Sequence, residues 1–421
     1  MAIWARLRED LLFKNSFFLM LGSGLSYASG FFFWVFAGQM YDAVEVGIAT
    51  SLISSLTLLV ALSRMGLNES LIRYCPGGDK KRIVTTALYI SAFFAVVLGI
   101  VFLTGLDLWA PDLAVAQEHV PLFLLILLAA SVYSTTDATF IAMREAKWSF
   151  LQDVVNGSRM FIIFLFLGLG AIGIFTAYGL ASMAVAVISI VIVGRKRLLP
   201  GRIDRDFLRR SLRFSLGNHV ASILIILPAT LLPIVVLNVL GPEASAFYYI
   251  AFQFAMVLNI IPNATGTSLF AEGSHGEDMR STTARSVGIA LALLVPAIIA
   301  LYLLGGSFLG LIGEEYRTNG LELLRWMILS SLFYVPIQMY YSWKKVGLRT
   351  RGMMLVSGFD SVLILSLSYL FMRTTGLVGV GHAFVLAHAA TAALILFWER
   401  GSVRSLLQVF LAANVQRSGR S

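Results

Sequence analysis

Apolar residues along this chain gather into long unbroken runs instead of alternating or recurring at every third or fourth position. A run of roughly 17 to 25 apolar residues, coiled at about 1.5 Å per residue, matches the hydrocarbon thickness of a bilayer. Twelve such runs are predicted spanning helices: 15–37, 46–66, 83–104, 120–142, 151–172, 174–194, 213–239, 245–270, 286–304, 321–342, 353–372 and 377–398. The fifth and sixth are parted by Gly173 alone. No intervening segment is long enough for a soluble domain, so the pattern predicts an all-α polytopic membrane protein. The first run has spanning length and no small-residue cleavage pattern, so a cleavable signal peptide is not expected.

Composition sharpens this picture. The 421 residues are 58% hydrophobic and only 13% charged, with a mean hydropathy of +0.83, outside the range of soluble globular chains. A net charge of +9 suggests a nucleic-acid partner until the positions of the charges are read. Of 32 Lys and Arg, 28 fall on one side of the predicted membrane, including eight in GRKRLLPGRIDRDFLRRSLRF (194–214). Only Arg317, Arg325 and Arg373 fall on the other, and Arg159 lies within a span. Basic residues near short loops resist translocation, so this asymmetry places both termini in the cytoplasm and assigns the basic stretch to topology, not to nucleic acid. The one cysteine, Cys75, excludes an internal disulfide and a thiolate metal cluster.

The basic stretch divides the spans six and six. The predicted organisation is an N-lobe over 1–194, a basic cytoplasmic connector over 195–212, a C-lobe over 213–398 and a cytoplasmic tail over 399–421. The halves share features: Leu21-Gly22 follows the start of span one as Leu216-Gly217 follows that of span seven, and ESLIRY (69–74) after span two matches TSLFAE (267–272) after span eight. Two six-helix repeats are the architecture in which one bundle rocks against the other. Within the connector, Arg202 to Arg213 is a candidate amphipathic surface helix, with Asp204 near its start as a cap.

Three segments carry a family resemblance. LGPEASAFYYIAFQFAMVLNIIPNATGTSLF (240–270), LIGEEYRTNGLELLRWMILSSLFYVPIQMYYSWKKVGLRTR (311–351) and SRMGLNESLIRY (63–74) resemble the eighth-span region, the tenth-span region and the loop after the second span of Wzx-type polysaccharide flippases. These belong to the multidrug, oligosaccharidyl-lipid and polysaccharide exporter superfamily. The motifs are degenerate, whereas span count and topology match over nearly the whole chain. The resemblance implies a V-shaped pair of six-helix lobes around a central cavity. It also implies a polyprenyl-diphosphate-linked oligosaccharide as substrate, and in some relatives a cation site among spans seven, eleven and twelve.

Ionisable groups inside spans are costly and face a cavity or a partner. Arg159 sits eight residues inside span five, about 12 Å deep, with Gln152 and Asn156 at i−7 and i−3 on its face; Tyr133, Asp137 and Arg144 form a similar stripe on span four. Guanidinium geometry suits phosphate, so Arg159 is a candidate ligand for the diphosphate or an acidic sugar; the alternative is an Arg159–Asp137 pair that joins helices. Arg64 and Arg73 flank the end of span two as topology anchors or as receivers of an anionic head group. In the second half, Asp360, His219, His382 and His388 are the titratable candidates; Asp360 with His388 and Thr391, one turn apart, fits Na⁺ binding or proton carriage, His219 lies on span seven, and helix–helix hydrogen bonding is the plainer role of each histidine.

Three patterns are set aside. GLGAIG (168–173) has the form G-x-G-x-x-G without the strand-turn-helix context that a dinucleotide site needs. Asp204-Arg205-Asp206 has the D-x-D form without a nucleotide-sugar domain to house it. The sequons at Asn68, Asn156 and Asn263 fall near the cytoplasmic side. No Ser/His/Asp or metal-ligand constellation is present, so neither catalysis nor a bound metal or cofactor is expected, beyond coupling to Na⁺ or H⁺. The favoured function is flipping of a lipid-linked oligosaccharide across the cell (plasma or inner) membrane, with membrane lipids and glycan-assembly proteins as partners. A small-molecule exporter of the same fold and a membrane-embedded glycan polymerase or glycosyltransferase are the alternatives.

Overall fold

The structure is a computed structural model that describes residues 11–274, 278–347 and 350–400. The N-terminal Arg6 and Arg8, and the predicted tail beyond residue 400, lie outside the described residues. Among the described residues there is no strand. The first half is built from α1 (Leu11–Met40), α2 (Ala43–Ser63), α3 (Leu67–Tyr74), α4 (Lys80–Thr104), the short α5 (Leu106–Trp109) and α6 (Val115–Glu118), α7 (Val120–Ala142), α8 (Ala146–Gly157), α9 (Arg159–Ile162) and α10 (Gly170–Arg195). The second half follows as α11 (Arg205–Leu240), α12 (Pro242–Leu258), α13 (Ile260–Ser274), α14 (Met279–Ile312), α15 (Glu314–Val346), α16 (Thr350–Thr375) and α17 (Val378–Trp398).

Eleven helices among the described residues are long and apolar enough to cross a membrane. The chain is a multi-pass membrane protein. The run predicted as the fifth span, 151–172, is the exception. Its path remains helical, but Ser158 N–H bonds to the Val155 carbonyl and Phe161 N–H to the Ser158 carbonyl, three residues back instead of four. Residues 163–166 are 3₁₀-helix, and the sixth span begins at Gly170, three residues before Gly173. The tightening falls at Asn156-Gly157-Ser158, residue types that compete with or weaken regular helix. The predicted surface helix over 202–213 is also revised. From Arg205 the backbone runs as one helix to Leu240, so the basic segment is continuous with the seventh span, Ser215–Leu240, and leads into it.

Aspartates start several helices as expected of acceptors for otherwise unpaired N–H groups. Asp79 accepts from Arg82 N–H at 3.2 Å, Asp204 from Phe207 N–H at 2.8 Å and Asp278 from Ser281 N–H at 3.0 Å. Within the spans, hydroxyls bond back along their own helix, as Ser55 to Ser51 and Thr139 to Thr135 do. Small polar residues can therefore be buried where water is absent.

The chain divides into two compact units. The first holds the residues up to Ile223 together with Ala229–Asn238; the second holds Leu224–Pro228 and the residues from Val239 onward. In the first, α7 packs against α4 and α10, and α1 against α8. In the second, α15 is the hub, packing against α12, α13, α14 and α17, while α16 packs on α17. Hydroxyls hold segments of α11 within each unit. Ser51 Oγ donates to the Pro233 carbonyl at 3.1 Å in the first unit. In the second, Ser361 Oγ donates to the Leu224 carbonyl, which Pro228, four residues on and lacking an N–H, cannot serve. Helix α14 turns apolar side chains such as Leu293, Ile299 and Leu303 outward, as a lipid-facing helix does.

Candidate functional site

In the first unit, five helices (α1, α7, α8, α9 and α10) converge on a polar cluster. Helix α1 presents Gly22, Ser26, Ser29, Gly30 and Phe33 at i, i+4, i+7, i+8 and i+11, one face of a helix. Facing it, Asp153 Oδ1 accepts from Ser26 Oγ at 2.9 Å and from the Tyr133 hydroxyl at 3.3 Å. The guanidinium of Arg159 lies 5.1 Å from the centroid of the Tyr178 ring and 5.8 Å from that of Phe33. Two glycines admit these charges: a Cβ at Gly22 would collide with the Asp153 carboxylate, and one at Gly30 would lie 3.2 Å from Arg159 Nη2. They stand eight residues apart, about 12 Å along α1. Each glycine thus leaves room for one of the two charges.

Arg159 belongs to none of the ion pairs among the described residues. The Arg159–Asp137 pair is therefore not formed. Arg159 Nε is buried without a hydrogen-bond partner, and so is Asn156 Oδ1. Gln152 has a different role from its neighbours. Its amide donates to Thr136 Oγ1 at 2.9 Å and Ser189 Oγ at 2.8 Å, which ties α8 to α7 and α10. Asp137 lies within electrostatic reach of Arg64 and Asp153 and beside Ser149. Arg64 Nη1 donates to Ser134 Oγ at 3.2 Å, and Asn68 donates to the same residue. Arg73 is exposed at the end of α3, over the ring of Tyr74, and Arg144 falls beyond the end of α7. Asp153 was absent from the sequence-predicted set, although it is an ionisable residue in the fifth run just as Arg159 is.

In the second unit, the predicted Asp360, His388 and Thr391 do come together. Thr391 Oγ1 donates to Asp360 Oδ1 at 2.8 Å, and His388 Nε2 lies 3.6 Å from Asp360 Oδ2. Asp360 is 9% exposed, His388 4% and Thr391 fully buried, so any charge here is screened little by solvent. The Tyr334 and Phe384 rings flank the imidazole at 5.6 and 5.7 Å. His219 belongs to the first unit. There it packs near Gly66, beside the hydrogen bond between Ser70 and Ser215. His382 packs edge-on to Trp326 at 4.6 Å. The one thiol, Cys75, is buried at the end of α3. Burial pushes that thiol up, away from the reactive thiolate. No group of three or more His, Cys, Asp or Glu arranged to hold a metal exists among the described residues.

The charged residues of the two clusters thus stand on two bundles of spanning helices in a multi-pass membrane protein, half-buried in the first unit and buried in the second. The family model for polysaccharide biosynthesis proteins matches residues 12–270, and the chain belongs to that family. The putative O-antigen transporter of Shigella flexneri is 24% identical over 169 residues, 39% of this chain and 40% of that protein's length. Among solved structures, an inward-facing multidrug resistance MATE family transporter of the MOP superfamily superposes with a TM-score of 0.76 at 16% identity, over 91% of this chain and 95% of that one. A MOP superfamily transporter from Pyrococcus furiosus, described as having a binding pocket of reversed polarity, gives 0.65 at 15% identity over 95% and 97%. The fold is thus the MATE-like one of two lobes.

Proposed function

We propose that the chain flips a polyprenyl-diphosphate-linked oligosaccharide from the cytoplasmic to the outer leaflet of the cell membrane by alternating access, in the assembly of a surface polysaccharide. Both termini lie in the cytoplasm on this reading, and no covalent bond is made or broken. The observation that carries it is the state of Arg159. A half-buried guanidinium packed between spanning helices, held by ring faces and left with an unsatisfied N–H, is prepared for an anion that arrives from outside the protein. The diphosphate supplies that anion. Family membership and the name of the Shigella relative support a glycan as the remainder of the substrate. Asp360, with His388 and Thr391, couples the cycle to H⁺ or Na⁺, because protonation or ion binding at a carboxylate this buried changes which helix packing is favoured.

A second reading, export of a cationic small molecule, draws on Asp153 and Asp137, two carboxylates in the same cluster. The readings separate in cells whose glycan export depends on this protein. Arg159→Gln is expected to reduce surface glycan roughly 10- to 100-fold at unchanged protein level, the worth of one to two charge-assisted hydrogen bonds. Arg159→Lys, a charge without the planar fork, is expected to recover part of it. Normal export by Arg159→Gln would remove the anion-binding role and leave the cationic-substrate reading.

A further inference from the structure

The second unit carries a cavity of about 630 Å³ between α14 and α15, at the end of α15 where Glu314 lies. It extends along α15 from Glu314 to Leu329. Near its mouth, Arg317 Nη1 lies 3.4 Å from Glu314 Oε1, so that pair is neutral. Further along α15 stand Glu322, exposed, and Arg325, half-buried, one charge of each sign, and neither belongs to an ion pair among the described residues. The Arg325 guanidinium lies 4.9 Å from the centroid of the Tyr302 ring, and its Nε is buried without a hydrogen-bond partner. Trp326 supplies a second aromatic wall, held in place by its edge-on contact with His382. Thr318 adds a hydroxyl that donates to the Glu314 carbonyl and keeps its lone pairs free to accept.

We propose that this cavity binds a pyranose ring, as a sugar site separate from the polar cluster of the first unit. The chemistry matches feature by feature. A sugar hydroxyl donates to the Glu322 carboxylate and a neighbouring one accepts from the Arg325 guanidinium, which has no ion-pair partner among the described residues. The C–H face of the ring lies against Tyr302 or Trp326, whose broad apolar surfaces carry most of the contact area in such pockets. A phosphate head group fits less well, because two glutamates share the cavity and one of its two arginines is already paired. The volume admits one or two sugar units together with water, given that ligand pockets span roughly 300 to 1,000 Å³. The inference rests on the proposed glycan substrate for what carries the sugar, whereas the site itself stands on the cavity.

The test uses the full chain in lipid nanodiscs, with methyl α-glucoside, methyl α-galactoside and N-acetylglucosamine as probes and glycerol 3-phosphate as the lipid head-group control. Saturation-transfer NMR reports ring-proton contact, and titration gives Kd. At least one sugar is expected to bind with a Kd of roughly millimolar order. Arg325→Gln and, independently, Tyr302→Leu are each expected to weaken it at least about fivefold. Both variants are checked as monodisperse on size exclusion, and because Tyr302 is 40% exposed its replacement leaves packing largely intact. Arg159→Gln is expected to bind the sugar as the parent does, so this result is independent of the flipping reading. Binding of none of the three sugars, unchanged binding in Arg325→Gln, or binding of glycerol 3-phosphate alone would each overturn the proposal.

Discussion

The two units handle charge among their spanning helices in opposite ways. In the first, Asp153 and Arg159 are kept apart: hydroxyls of Ser26 and Tyr133 occupy the carboxylate, and the rings of Phe33 and Tyr178 face the guanidinium. In the second, Asp360, Thr391 and His388 close on one another. A guanidinium satisfied only by ring faces gains most when an anion arrives. A carboxylate already bonded to a hydroxyl and facing an imidazole gains little from a large ligand, yet responds to a proton or a small cation. Burial therefore does not by itself mark a ligand site. What distinguishes these two is the partner that the chain supplies: ring faces for the guanidinium of Arg159, a hydroxyl and an imidazole for the carboxylate of Asp360.

The largest effect after loss of Arg159 is expected at Asp360. Asp360→Asn should slow gradient-driven transport about tenfold, within the usual range of a coupling free energy, while binding of the glycan lipid stays within about twofold. Transport rates in vesicles with and without an imposed gradient measure this, and an undiminished response to the gradient would erase the contrast between the units. Gly30→Ala comes next. Its Cβ would stand 3.2 Å from Arg159 Nη2, so the guanidinium must shift, and a loss of about threefold in glycan export is expected, since a displaced group loses part of its alignment. Asp153→Asn keeps an acceptor for Ser26 and Tyr133 but removes a negative charge near the anion. Affinity for the glycan lipid should rise by about threefold or less, whereas a cation exporter would lose its substrate. The smallest effect belongs to Asp278, outside both clusters. The backbone N–H of Ser281 holds its carboxylate below the usual range. Its contribution is thus present above the unfolded value of about pH 4 and fades as pH falls through the lower folded value. Asp278→Ala should lower Tm slightly at pH 7 and not at all at strongly acid pH.

Most of the framework is legible in the apolar runs, because a spanning helix must satisfy its own backbone and so needs one long stretch. The Asp360, His388 and Thr391 grouping is legible too, since a buried carboxylate on one span needs polar company on the next. Other features are hidden. The 3₁₀ tightening after Gly157 leaves no mark in hydropathy, because Phe161 to Leu167 stay apolar throughout. Arg325 reads as an outer-loop charge, and only its cavity and the Tyr302 ring give it a role. The fit of Asp153 and Arg159 against α1 depends on two glycines more than 120 residues earlier in the chain, and helix packing alone brings them together.

On the proposed function, Arg159 receives the anionic portion of a lipid-linked glycan during flipping. The direct measurement is the flip rate of a fluorescent polyprenyl-diphosphate-linked oligosaccharide in proteoliposomes containing the purified full chain, for the parent and Arg159→Gln side by side. The parent is expected to move the lipid between leaflets and the variant to do so at least about tenfold more slowly. Equal rates in the two, or a parent that leaves the lipid in place while expelling a small cation, would contradict the claim.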